Sequence, residues 1–292
     1  MSQFDFPALY TAADGMSGES QFSFLSLIRV EYVLLFICAL MSLDWSRKAE
    51  FFLLYALVLM AALAIAVARN MMKPEQSWYR GRALAESVKT SAWRFCMRAA
   101  PFSDRPSICQ SKKEFREHLL EILRANRFMG DRLPPDSAAD APLPESMVST
   151  RLLGLEARKR YYREYRIQDQ RIWYAKKARL NRNASRFWFV IGITAYAVAI
   201  ALAVSRIAFP EWQFWPIDAV LVFASAVLGW TQVKRFNELA SSYNLTAHEI
   251  GILQGRLDDI GEDEEEKFSD FINEAEQAFS REHTQWVARQ QT

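Results

Sequence analysis

The sequence predicts an all-α membrane protein: two transmembrane helical hairpins, four spans in all, with long cytosolic amphipathic and coiled-coil helices. Three observations carry that prediction. Four stretches are long and apolar enough to cross about 30 Å of hydrocarbon, which takes roughly 17–25 helical residues. Outside them, apolar residues recur at steps of three and four, the spacing of one helix face. The 292 residues include ten glycines and ten prolines, too few for the turns of a β-sandwich.

The first span is placed at about 25–43, with Arg29 and Glu31 in its opening turns, where they must snorkel or pair. The second, at about 51–69, begins with a charge-free run from Phe51 to Ala68. Beyond it Trp78, Gly81, Ala85, Val88, Ala92, Phe95 and Ala99 line one face of a helix over 75–99 that stops before Pro101. Ser111 and Glu114 have capping-box spacing, and Phe115, Leu119, Ile122 and Leu123 behind them mark a helix over 111–128. Residues 130–148 are Pro-rich and aperiodic, which reads as a linker between a first unit at 1–129 and a second at 149–292.

The second unit opens with a basic helix at 149–186, carrying Tyr161, Tyr162, Tyr165, Trp173 and Tyr174 among its Arg and Lys residues. Basic residues interleaved with aromatics also describe a nucleic-acid surface, but attraction to an anionic inner leaflet and aromatic anchoring at the interface explain them more simply. No nucleic-acid partner is expected. Spans follow at about 187–205 and 212–231, the latter containing Asp218. Phe236, Leu239, Tyr243, Thr246, Ile250, Leu253, Leu257 and Ile260 form a heptad seam over a stalk at 232–260. Extended backward the seam meets Gly229, Ser225 and Val222, which makes span and stalk one continuous helix opening at Trp215-Pro216. The acidic run from Glu262 to Glu266 suits the start of a last helix at 262–290, with Phe268, Phe271, Ile272, Ala275, Phe279 and Trp286 on its apolar face. The seam can pair within a chain or between chains.

Basic residues gather after the second span and before the third, which places the central segment and both termini in the cytoplasm. No Lys or Arg precedes Arg29, so the first span is expected to stay in the mature protein. The three cysteines lack ligand spacing and the three histidines stand apart, so neither a metal nor a cofactor is expected.

The two halves share a plan of polar lead-in, two spans and amphipathic helix. Ala13-Asp14, Ser17, Gln21, Phe24 and Leu25, followed by Trp78, Arg82-Ala83, Ala85-Glu86-Ser87, Lys89 and Trp93, resemble one branch of the SLATT domains, the two-transmembrane effectors associated with SMODS and SLOG proteins. Tyr165-Arg166, Asp169-Gln170, Trp173-Tyr174 and Lys177-Ala178 resemble another branch, as do Phe268, Phe271-Ile272, Glu276, Glu282-His283, Trp286 and Arg289. The resemblance implies a tandem of SLATT units and a bacterial inner-membrane effector in a conflict or anti-phage system. A nucleotide-sensing or messenger-producing partner would trigger it, and homo-oligomers would breach the membrane. Trp78, Arg82, Glu86, Trp93, Arg166, Asp169, Gln170, Trp173, Glu276 and Trp286 are then candidate packing positions.

Charged groups inside a bilayer usually face a partner or a wet path, so Asp218, Arg29 and Glu31 are the candidate pore or gate positions. Snorkelling explains them too, since each lies near a span end. A non-conducting scaffold that recruits a cytosolic sensor or enzyme fits the same helices. No phosphate loop, nucleophile elbow or zinc signature supports an enzyme, and the spans lack the Gly or Pro interruptions of a transporter site.

Overall fold

The computed structural model describes residues 3–43, 45–103, 107–133, 141–261 and 264–288, without the side chains of 128, 131, 132 and 280–288. Asp44, residues 134–140 of the expected linker, Glu262 and Arg289 therefore lie outside the described residues, as do the side chains of Glu282, His283 and Trp286. The chain is all-helical, and the described residues contain no strand.

The helices are α1 (Ala8–Met41), α2 (Ala49–Met72), α3 (Pro74–Cys96), α4 (Ile108–Ala125), α5 (Glu145–Arg151), α6 (Leu155–Tyr162), α7 (Asp169–Ala208), α8 (Ile217–Lys234), α9 (Phe236–Asp258) and α10 (Glu265–Ala288). Four helical runs are long and apolar enough to span a membrane: Ala8–Met41, Ala49–Cys96, Leu155–Ala208 and Ile217–Asp258.

Several boundaries differ from those the sequence predicts. Helix α1 starts well before the first span, because the Pro7 carbonyl accepts from the N–H groups of Tyr10 and Thr11 and starts the helix. Helix α4 starts at Ile108, where the Ser107 side chain accepts from the Cys109 N–H. Ser111 is instead buried inside α4 and receives a hydrogen bond from Arg151, so it does not cap. The basic helix expected over 149–186 is broken at 152–154, and Gly154 caps the start of α6. A wider π-helical turn, Arg163–Gln168, then links α6 to α7.

The fourth span and the stalk are likewise two helices. Arg235 takes the left-handed conformation (φ 46°, ψ 43°), its N–H returns to the Thr231 carbonyl, and α9 begins at the next residue. Lys73 does the same after the second span (φ 44°, ψ 52°), bonding to the Arg69 carbonyl. A basic residue outside the usual backbone regions thus ends the second span of each half.

Packing divides the chain into two compact units, each drawing on both halves of the sequence. A polar unit comprises Met1–Phe22, Pro74–Arg171 and His248–Thr292; a membrane unit comprises Ser23–Lys73 and Ile172–Ala247.

In the polar unit α3 is the central element, with Leu84, Ala85, Val88, Ala92, Trp93 and Phe95 buried along it. Helix α10 lies against it through Phe268, Phe271, Ile272, Ala275 and Phe279. The start of α1 crosses α3 so closely at Gly81 that a Cβ there would stand 2.8 Å from the Met16 methyl and 3.2 Å from the Ala13 carbonyl. Phe95, Phe102 and Phe115 close the far end, with ring centroids 4.7–6.0 Å apart.

The membrane unit reverses the usual distribution of side chains. Its buried residues are mostly small, among them Ala39, Ala62, Ala195, Ala199, Ala219 and Ala224, while Leu53, Phe189 and Ile200 are each about two-thirds exposed. Small residues let helix backbones approach, and large apolar ones facing outward need lipid around them.

Candidate functional site

The polar unit is organised around one buried ion pair. Arg166, on the π-helical turn, donates to Glu276 of α10 from Nε (2.8 Å) and Nη2 (2.6 Å), and the two side chains are 1% and 0% exposed. Tyr162, one turn earlier, donates its hydroxyl to the same carboxylate at 2.8 Å. Trp93 of α3 and Phe279 of α10 present ring faces to the guanidinium, at 5.9 and 4.6 Å. Burial alone would pull the Arg166 pKa down, but the adjacent carboxylate overrides it and holds the group charged. Burial and Glu276 together push the Tyr162 phenol well up. Arg166 Nη1 and Trp93 Nε1 are buried without a hydrogen-bond partner among the described residues.

A second group flanks this pair along α3. Arg82 bridges Glu86 (2.8 Å) and Asp14 of α1 (3.3 Å), and Ser17 donates to the Trp78 carbonyl at 3.1 Å. Burial, with Asp14 and Glu86 nearby, raises the Tyr10 phenol to about 12. Burial and the Arg166 charge lower the pKa of the partly buried Lys89. Chemically this is an interhelical polar core: it fixes which face of α10 meets α3 and offers no nucleophile paired with a base. Among the described residues, no three metal-ligating side chains converge.

Residues 7–159 match SMODS and SLOG-associating 2TM effector domain 3, and residues 162–286 match SMODS and SLOG-associating 2TM effector domain 1. The chain belongs to the SLATT family. It carries two SLATT domains in tandem, of a kind associated with conflict systems. No curated protein and no solved structure matched the chain.

The structure brings some SLATT motif positions together and leaves others apart. Trp93 of the first domain presents its ring to Arg166 of the second, which pairs with Glu276, and Trp78, Arg82 and Glu86 form the flanking group. Asp169 is exposed and Gln170 half-buried at the start of α7. In the membrane unit Trp173 packs on Tyr243 of α9, with centroids 5.6 Å apart.

The gate candidates also occupy separate places within the membrane unit. Asp218 lines a cavity of about 480 Å³ between α1, α2 and α8, whose wall carries Tyr32, Ser42, Tyr55 and Ser225. It has no ion-pair partner among the described residues. Glu31 pairs with Arg69 of α2 at 3.0 Å, while the Arg29 guanidinium lies over the Trp230 ring at 5.0 Å. Neither lines the Asp218 cavity.

Sequence reasoning missed two inward-facing arginines. Arg151 donates to the Phe95 carbonyl (2.6 Å) and Arg158 to the Met97 carbonyl (2.9 Å), satisfying groups at the end of α3. Arg158 also pairs with Glu265 at 2.6 Å. Composition groups these residues with the lipid-facing cations, but with Arg166 they serve packing instead. Their spacing of seven and eight residues would put them on one face of an unbroken helix and was the available signal, although the chain reaches that arrangement through the break at 152–154 and the π-helical turn.

Proposed function

We propose that this protein is a bacterial inner-membrane effector in a nucleotide-signalled conflict or anti-phage system. Its polar unit lies in the cytoplasm with both termini and receives the signal. Its membrane unit assembles with other copies to open a pore or disrupt the bilayer above an anionic inner leaflet. The observation that carries this reading is Asp218, a carboxylate without an ion-pair partner among the described residues, on the wall of a mostly apolar cavity to which Tyr32, Ser42, Tyr55 and Ser225 add a few hydroxyl groups, at the start of a helix apolar enough to span a membrane. A charge held within a membrane is costly and is retained where it faces water or another chain.

Expression in bacteria alongside its signalling partner, with a membrane-potential dye, tests the proposal. Depolarisation and growth arrest are expected. Unchanged potential and growth, with the protein present in the membrane and the signal active, would overturn it. A protein that binds its partner but leaves sealed vesicles intact would be a scaffold.

A further inference from the structure

The membrane unit carries a group of cations that the pore reading leaves unused. Arg29 of α1 and Lys234 of α8 both lie over the Trp230 ring, at 5.0 and 5.9 Å. Lys177 of α7 lies over Trp173 at 5.5 Å, and Arg29 and Lys177 both stand near enough to Lys234 to repel it. Like charges so gathered need a compensating anion. The acidic residues at this end of the unit are committed elsewhere, Glu31 to Arg69 at 3.0 Å and Glu238 to Arg235 at 3.7 Å. Among the described residues, no carboxylate forms an ion pair with Arg29, Lys177 or Lys234.

The level of these residues along the helices points to the source of that anion. Trp188 and Trp230 meet with ring centroids 6.4 Å apart, where tryptophans mark the boundary between hydrocarbon and water. One helical turn, about 5 Å, beyond that level is headgroup depth. At that place, beside the three cations and not lined by them, lies a cavity of about 460 Å³ whose wall includes Ser185 of α7 and Thr231, Gln232, Arg235, Asn237 and Glu238 around the break between α8 and α9, the Glu238 carboxylate being the one paired with Arg235. Both hydroxyl protons are already donated within the protein, that of Thr231 to the Leu228 carbonyl, so the side-chain amide N–H groups of Gln232 and Asn237 are the donors left for phosphate or glycerol oxygens. Ser185 already donates to Asn237 at 2.6 Å, which fixes α7 against the start of α9.

We infer that Arg29 and Lys234, both over Trp230, together with Lys177, which acts on Lys234 from α7, bind the phosphate headgroup of an anionic lipid, which seats between α1, α7 and α8 and supplies the missing negative charge. This rests on the membrane reading above and adds a discrete, stoichiometric lipid to it. Basic pockets between spans are suited to such headgroups, each cation near the surface adding to the attraction.

The test is native mass spectrometry of the full chain, released from nanodiscs of phosphatidylcholine with phosphatidylglycerol, or of phosphatidylcholine alone. The wild type should carry a defined phosphatidylglycerol adduct. The variant Arg29→Gln/Lys177→Gln/Lys234→Gln should lose it by about tenfold or more in occupancy, while Lys176→Gln/Arg179→Gln/Arg182→Gln, which removes equal charge from exposed positions, should keep it. Equal retention in both variants, or equal loss, would overturn the inference. So would saturable binding of inorganic phosphate to detergent-solubilised protein that shows no lipid preference. Resistance to carbonate extraction and unchanged helical circular dichroism establish that each variant is folded and inserted. Wild-type protein that carbonate extracts would instead overturn the membrane reading itself.

Discussion

Arg166 and Glu276 stand 110 residues apart in sequence and meet as a fully buried, two-point ion pair that joins the second SLATT domain's lead-in helix to its last helix. Two charges taken out of water are tolerable only while each has the other. Removing Glu276 alone leaves the guanidinium buried and uncompensated. Glu276→Ala is expected to destabilise the polar unit by about 3–5 kcal/mol, seen as a lower melting temperature. Arg166→Met combined with Glu276→Leu should recover much of that loss, because it removes both charges and keeps the volume. A double variant as unstable as Glu276→Ala would show that the charge pairing is not what matters.

Gly81 sets the distance between α1 and α3. A side chain there meets the Ala13 carbonyl and the Ser17 Cα, both backbone and unable to swing aside. Gly81→Val is expected to cost about 1–3 kcal/mol. Gly15, also in α1, has open space where a Cβ would point, with nothing within 4 Å, so Gly15→Ala should stabilise by about 0.5–1 kcal/mol through helix propensity. Thermal melts of the two variants should move in opposite directions.

His118 gives the polar unit a dependence on pH. Burial holds its pKa below the ordinary 6.5, and its Nε2 lies 3.1 Å from the Ser91 hydroxyl. The folded state thus favours neutral imidazole, while the unfolded chain takes up a proton first as pH falls. The His118 contribution is complete above 6.5 and is lost as pH drops from there through the lower folded value. Melting temperatures followed from about pH 8 to about pH 5 should fall less for His118→Gln than for the wild type; equal slopes would remove His118 from the account.

The spans and amphipathic helices are legible in the sequence because length, apolar composition and three-to-four spacing are local signals. The SLATT motif identifies Trp93, Arg166 and Glu276 as positions of interest, yet their meeting depends on how α3, the π-helical turn and α10 pack. Arg151 and Arg158 read as surface charges because arginine is ordinarily exposed, and the α3 carbonyls that they satisfy are invisible in sequence. The two elbows differ in the same way. Pro74 marks the one at Lys73, since a proline disfavours helical backbone in the residue before it. Nothing in Lys234-Arg235-Phe236 marks the other, so an unbroken heptad pattern runs straight through a real break. Asp218 stands out as a charge in a span, but the mostly apolar cavity beside it needs α1, α2 and α8 in place.

Efflux from proteoliposomes measures the central claim most directly. The purified chain is inserted into vesicles loaded with a self-quenched dye over a series of protein-to-lipid ratios, beside Asp218→Asn. If several copies open a path past Asp218, release rises more steeply than in proportion to protein and Asp218→Asn reduces it at equal insertion. Vesicles that hold fully inserted protein at every ratio and lose no dye would contradict the claim.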